Sequence, residues 1–169
     1  MNKKIVNEAD IKQDLIETFE GVKKAVRKSE GRSRAGLMLG LQELGTSPNG
    51  FIGAYYPMSS NIIVVNKTPL RRIIDTNLKL FKPYVFHVLL HEYIHSLGFL
   101  DERTAEHKTY EISKDNFGKK HVITQLSIDM KQFFPNLVYP NYGWLPPKKI
   151  PAIELVYGFD QSNTSNYIT

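Results

Sequence analysis

The spacing of the apolar residues changes along the chain and divides it into regions of different predicted structure. Between Asp10 and Lys28, apolar side chains recur every three or four positions, which is the period of an amphipathic helix. The members of that stripe are Ile11, Leu15, Ile16, Phe19, Val22 and Val26. From Ala35 to Asn66 the pattern becomes three short apolar runs, AGLMLGL, GFIGAYY and NIIVVN, separated by turn residues. The chain therefore predicts an N-terminal helix followed by a small sheet of about three strands.

The middle of the chain predicts three further helices. The stretch VFHVLLHEYIHSL is apolar nearly all round, so we expect a buried helix from near Asp75 to Leu97, with Gly98 as its stop. Asp101 has the position of an N-cap for a third helix, DERTAEHKTYEIS, which ends in the turn DNFG. A fourth helix is predicted from Lys119 to Phe134.

Residues 135–169 differ in composition from the rest of the chain. They contain the proline-rich and aromatic stretch YPNYGWLPPKKIP, the short apolar run AIELVYGF and a polar end. Only the apolar run is suited to packing. Since 169 residues are typical of one domain, we expect an α+β domain with a mixed sheet over residues 1–134 and an extended tail over residues 135–169 that packs on it.

The composition excludes several kinds of site and partner. Cysteine is absent, so disulfides and thiolate metal sites are excluded, and any metal must be held by His, Asp or Glu. No apolar run reaches membrane-spanning length, and the start MNKKIVNEADIKQDL lacks the apolar segment of a secretory signal. We therefore expect a cytoplasmic protein without a membrane partner. The net charge of +5 is spread along the chain, which makes nucleic acid a weaker expectation than a protein partner.

The stretch HEYIHSLGFLD contains the strongest chemical signal. His91 and His95 lie four residues apart, so on a helix both rings face the same side and can bind one ion. Glu92 would lie beside them, placed to take a proton from a water on that ion. His87 lies four residues before His91, but it is about 12 Å from His95 along a helix, too far to share the ion. The pattern predicts a zinc site with Glu92 as general base.

Two family resemblances suggest different third ligands. The pattern H-E-x-x-H-x-x-G-x-x-D resembles the metzincin clan of metallopeptidases, which implies Asp101 as the third ligand. HEYIHSLGFLDER followed by FGKKH resembles a group of small archaeal proteins regarded as minimal zincin metallopeptidases, which implies His121 instead. Residues of the third predicted helix are a further alternative if that helix packs antiparallel to the second. They are Glu106, His107 and Glu111.

These resemblances imply a zincin-like catalytic domain over residues 1–134 that hydrolyses peptide bonds with zinc, a metal-activated water and Glu92. In zincins a sheet strand beside the active-site helix commonly pairs with the peptide substrate, and here we expect that role for residues 52–55. The tail could cover the cleft by placing a carboxylate, Glu154 or Asp160, on the metal.

Two other functions remain as alternatives. Bacterial endoribonucleases of the ribosomal-RNA maturation type have H-G-x-x-H-x-x-G-x-x-H, with glycine where this chain has Glu92. A non-catalytic zinc-stabilised binding domain would close its metal site with a fourth protein ligand.

Overall fold

A computed structural model describes residues 6–47, 50–135 and 150–160 of the chain. These residues form five α-helices, one 3-10 turn and a four-stranded mixed sheet, which confirms the α+β class. In chain order the elements are α1 (Glu8–Glu30), β1 (Met38–Gln42), β2 (Ala54–Tyr55), β3 (Ile62–Asn66), α2 (Lys67–Thr76), the 3-10 turn (Leu78–Leu80), α3 (Phe81–Ser96), α4 (Glu102–Phe117), α5 (Val122–Ile128) and β4 (Glu154–Val156). Among the described residues, no helix has both the length and the apolar content needed to cross a membrane.

The sheet has the strand order β2-β3-β1-β4, so β2 and β4 lie at its edges. The central strands β1 and β3 are parallel, whereas β2 and β4 run antiparallel to their neighbours. Alternate residues of the central strands face the helices and are buried, as the two-residue period of a strand requires. They are Leu39, Leu41, Ile63 and Val65.

Helix α3 occupies the centre of the fold. It contacts the other four α-helices and the strands β2 and β3. Its side chains are accordingly buried on nearly every side, as the continuous apolar sequence predicts. The predicted N-terminal helix is also confirmed as α1, which starts with a capping box between Asn7 and Asp10 and ends at Gly31, where φ is +66°.

The predicted start of the buried helix near Asp75 is wrong. The chain instead forms α2, breaks at Asn77, makes the 3-10 turn and begins α3 at Phe81. Pro83 explains why one helix cannot run through this region, because its ring would clash with the carbonyl group of Lys79. In the first turn of α3 the missing N–H of Pro83 has no cost, so proline is accommodated there.

The fourth helix is shorter than predicted, since α5 ends at Ile128 rather than near Phe134. Asp129 leaves the helical conformation with φ of −152°, and its carboxylate accepts a hydrogen bond from the Lys131 N–H at 3.1 Å. This local bond competes with helix continuation. Met130 consequently lies in a turn beyond the helix.

The apolar part of the tail joins the domain as the edge strand β4, while residues 136–149 and 161–169 lie outside the described part of the chain. The Glu154 carboxylate accepts from Lys12 Nζ at 2.5 Å and from Lys67 Nζ at 3.5 Å. The Asp160 carboxylate pairs with Lys23 and accepts from the Leu37 N–H. Neither carboxylate lies with the histidines, so the structure contradicts their expected place on the metal.

A substitution at Gly53 tests how closely the start of β2 packs against α3. A Cβ atom at this position would lie 2.6 Å from Tyr84 Oη and 3.2 Å from Val88 Cγ1, and the Tyr84 side chain is fully buried. We expect Gly53→Ala to lower the free energy of unfolding by about 1–3 kcal/mol, because the packed tyrosine cannot move aside. Urea unfolding followed by circular dichroism measures this change.

Gly21→Ala is the matched control. A Cβ atom there would meet Phe86 at 3.8 Å, an ordinary contact, and the position is exposed on α1. Alanine should therefore raise stability by up to about 1 kcal/mol through its helix propensity. Equal effects of the two substitutions would contradict the packing of β2 described above.

Candidate metal centre

Three potential ligand atoms converge where α3 ends and α4 begins. His91 Nε2 lies 3.1 Å from His95 Nε2, and one carboxylate oxygen of Glu102, Oε1, lies 3.4 Å from His91 Nε2 and 2.9 Å from His95 Nε2. Ligands of a tetrahedral zinc ion are about 3.3 Å apart, given bonds of about 2.0–2.1 Å. The three side chains therefore already have the spacing of one triangular face of a zinc site.

The hydrogen-bond partners of His95 support a cation at this point. Its Nδ1 lies 2.7 Å from the Phe99 carbonyl oxygen, which can only accept, so Nδ1 carries the proton. In the neutral ring Nε2 is then a lone pair, and it faces a carboxylate oxygen of Glu102. Two acceptors this close repel each other unless a proton or a metal ion lies between them. The arrangement also selects the tautomer that a metal ligand needs.

Phe99, whose carbonyl group orients His95, is itself held in place. Lys108 Nζ lies 4.5 Å and Arg32 Cζ lies 5.2 Å from the centroid of its ring, both within range of cation–π interaction. Lys108 also forms an ion pair with Glu30 at 3.1 Å. These contacts join the end of α1 and the middle of α4 to the turn that carries the His95 partner.

Sequence reasoning missed Glu102. Asp101 is the N-cap of α4, as predicted, and its carboxylate accepts from the Thr104 N–H at 2.9 Å and from the Thr104 hydroxyl at 2.8 Å. These bonds lower the pKa of Asp101. Glu102 follows it as the first residue of the helix, and side chains in a helix lean toward its N-terminus, here back toward α3. The sequence feature that indicates Glu102 as a candidate ligand is its position as an acidic residue directly after the N-cap.

His121, the rival third ligand, is an exposed residue at the start of α5. Its Nδ1 accepts from the Ile123 N–H at 3.1 Å, and its ring stacks on Phe117. The structure brings neither Asp101 nor His121 together with His91 and His95. Of the alternatives on the third predicted helix, Glu106 faces the site, while His107 is exposed and Glu111 pairs with Lys114.

Glu92 is a buried carboxyl group beside the three candidate ligand atoms, with only 7% of its surface exposed. Burial raises its pKa to about 7, although the nearby His95 and a hydrogen bond from the Tyr56 N–H oppose the shift. Arg34 holds Tyr56 in place by donating to its hydroxyl at 2.8 Å and to the Ser96 carbonyl of α3 at 2.8 Å. The group can therefore hold or release a proton near neutral pH, as a general base must.

His87 lies one turn before His91 and lines the same cleft. Burial, with a smaller contribution from His91, lowers its pKa to about 4, so the ring is neutral at physiological pH. Its Nδ1 is buried and has no hydrogen-bond partner among the described residues. It does not belong to the group of ligand atoms, as its distance along the helix predicts.

The cleft beside the site has a volume of about 950 Å³ and extends along the edge strand β2. His87, Val88, His91 and Glu92 of α3 form one side, and residues 50–54 form another. The Gly53 carbonyl accepts from the Asn66 N–H of β3 at 2.9 Å, so the next residue, Ala54, turns its N–H and C=O away from β3. Ile52 is 60% exposed. Within the described part of the chain, the strand expected to contact substrate thus lies at an unpaired edge of the sheet beside Glu92.

Among the described His, Asp and Glu side chains, three lie within reach of one ion. Residues outside the described part of the chain contain no His, Cys, Asp or Glu, so every such side chain of the sequence has a described position. The group within reach of one ion consists of His91, His95 and Glu102, whose atoms lie within 4.8 Å of one another. Two imidazoles and one carboxylate are a ligand set that fits catalytic zinc.

No protein-family model, curated protein or solved structure matches the chain. The interpretation of the site therefore depends on the donor chemistry and geometry of the residues themselves. Both point to a divalent ion with nitrogen and oxygen ligands.

In the metal-free protein, the pH dependence of the free energy of unfolding tests whether Glu92 is buried as described. Below about pH 4.5 its carboxyl group is protonated in both the folded and the unfolded chain. Up to about pH 7 the folded state keeps the proton that the unfolded chain releases, so Glu92 destabilises the fold increasingly over this window. Relative to wild type, the free energy of unfolding of Glu92→Gln should rise from pH 4.5 to 7 by up to about 3 kcal/mol.

The comparison must be made as a difference between variant and wild type. His87 has the opposite effect, because its lowered pKa makes its contribution to stability rise between pH 4 and 6.5. The two contributions oppose each other in wild type. Urea unfolding in the presence of a chelator, repeated across this pH range, measures the difference. A difference that does not change with pH would show that Glu92 is not buried as described.

Proposed function

We propose that the protein is a zinc-dependent metallopeptidase with a zincin-like catalytic domain. One observation carries the proposal: the ligand atoms of His91, His95 and Glu102 form a zinc-sized triangle beside Glu92, and His91 and Glu92 line a cleft that follows the edge of β2. The sequence order of these groups, H-E-x-x-H with a carboxylate from the next helix, supports the same conclusion.

Each residue has a definite task in peptide hydrolysis. A zinc ion held by the two histidines and Glu102 would supply Lewis acidity toward a carbonyl or water oxygen. Glu92 accepts a proton from the attacking water and donates it to the leaving amine, and its buried position at the cleft beside the candidate ligands suits this role. The Ala54 N–H and C=O are positioned to pair with the backbone of an extended peptide as an added strand.

The alternatives receive less support. A non-catalytic zinc domain needs a fourth ligand to close the metal site, whereas the donor group contains three residues. An endoribonuclease of the H-G-x-x-H type has no acid at the position of Glu92. Here that acid is buried, lies in the cleft and receives a hydrogen bond from the Tyr56 N–H.

Cleavage of an unstructured protein substrate tests the proposal. The purified protein is loaded with one equivalent of zinc and incubated with casein, and new amino termini are quantified by mass spectrometry. We expect cleavage that stops with a chelator and returns with zinc. Glu92→Gln should lower the rate by about 10²–10⁴-fold while zinc remains bound, because a general base contributes a factor of this size.

Glu111→Gln is the matched control, since Glu111 lies on α4 but pairs with Lys114 and belongs neither to the donor group nor to the cleft. It should retain wild-type activity. Zinc-loaded protein that cleaves no peptide bond, or a Glu92→Gln variant as active as wild type, would contradict the proposed function.

A further inference from the structure

Glu106 places a second carboxylate of α4 in the cleft. It lies four residues after Glu102 and therefore on the same side of the helix, about 5–6 Å away at the Cβ atoms. It lines the same cavity as His91 and Glu92, and its negative charge acts on the His91 ring. Glu106 thus lies near the reacting centre without belonging to the group of ligand atoms.

The Glu106 carboxylate differs from the other acids of the cleft because it has no hydrogen-bond or ion-pair partner within the described part of the chain. Glu92 receives the Tyr56 N–H, and Glu102 faces the two histidines. Among the described residues that line the cavity, Lys131, in the turn after α5, is the one with a positive side chain, and it does not pair with Glu106.

Glu106 is an exposed side chain, so its carboxylate is hydrated while the cleft is empty. The same cavity is also lined by apolar side chains, among them Val88, Met130 and Phe134. A ligand that fills the cleft removes water from Glu106, which is unfavourable unless the ligand brings a cation.

We propose that Glu106 is a specificity-determining residue that binds an ammonium group of the peptide substrate, close to the bond that is cleaved. The proposal rests on the proposed function, because it names the substrate class for the same cleft. The ammonium group belongs either to the amino terminus of the substrate or to a lysine side chain. Peptides with an acidic group at this position are excluded by like-charge repulsion and by the loss of hydration at Glu106.

Peptide binding tests this inference without requiring turnover. The probe is one apolar hexapeptide amide in four forms, with a free or acetylated amino terminus and with lysine or norleucine at a central position. Dissociation constants are measured by isothermal titration calorimetry on the Glu92→Gln protein loaded with zinc. At least one form with an ammonium group should bind about tenfold more tightly than the doubly neutral form, as expected for one charge-assisted hydrogen bond.

The comparison of forms identifies the source of the ammonium group. Preference for the free terminus over the acetylated one indicates an amino-terminal substrate residue, whereas preference for lysine over norleucine indicates a side chain. Adding Glu106→Gln to the Glu92→Gln protein should reduce either preference to less than about twofold. Adding Lys131→Gln instead is the matched control, which removes a charge from the same cavity and should leave the preference intact.

Three results would overturn the inference: equal binding of all four forms, no binding of any form, or a preference that survives Glu106→Gln. Failure of the proposed function gives a different result. Wild-type protein that shows the charge preference but hydrolyses none of the peptides would contradict the peptidase assignment and leave the role of Glu106 intact. Hydrolysis without charge preference would contradict the role of Glu106 alone.

Discussion

The turn between α3 and α4 is the constraint on which the candidate site depends. Gly98 has φ of +105°, a conformation that residues with a side chain rarely adopt, and its N–H bonds back to the His95 carbonyl at 3.0 Å. The Phe99 carbonyl then reaches His95 Nδ1. Because the chain reverses within a few residues, the first residue of α4 faces the last turns of α3. For this reason the Glu102 carboxylate lies beside the rings of both histidines.

The same geometry makes the metal-free site electrostatically unfavourable. Polar groups occupy the end of an otherwise apolar helix, where Glu92 and His95 are 7% and 8% exposed. His95 Nε2 lies 2.9 Å from a Glu102 carboxylate oxygen, and burial holds the pKa of Glu92 near 7. A cation bound by these groups relieves the repulsion between acceptors, so metal binding and stability of the fold should be coupled. The apolar packing of the rest of α3 offsets this local loss of stability.

The sequence was sufficient for the elements whose patterns are local. The apolar stripe of α1, the strand runs, the buried character of α3 and the N-cap at Asp101 follow from spacing and capping chemistry alone. The predicted start of α3 near Asp75 is wrong because Pro83 prevents one continuous helix, and the predicted end of α5 near Phe134 is wrong because the side-chain hydrogen bond of Asp129 competes with the helix. These two errors each reflect a single residue that stops a helix, whereas the turn predicted at DNFG is wrong because α4 continues to Phe117 and ends at Gly118.

The candidate site was predictable only in part for a related reason. His91, Glu92 and His95 share one helix, so their proximity follows from the helical repeat. Glu102 approaches them across a turn, and its position depends on the angle between α3 and α4, which hydrophobic periodicity does not encode. Asp101 was favoured by motif spacing, but its carboxylate is engaged by Thr104 at the start of the helix. Neighbouring acids thus take different roles because one caps the helix and the other leans back from it.

Zinc binding by four proteins tests the central claim most directly: wild type, Glu102→Gln, Asp101→Asn and His121→Asn. Asparagine can replace either cap, so the last two variants change the candidate ligand without removing the helix start. The account predicts one zinc per wild-type chain, affinity lowered at least about a hundredfold by Glu102→Gln, and affinity within about threefold of wild type for the other two. Loss of zinc from Asp101→Asn or His121→Asn with retention by Glu102→Gln, or a wild-type chain that binds no zinc, would contradict it.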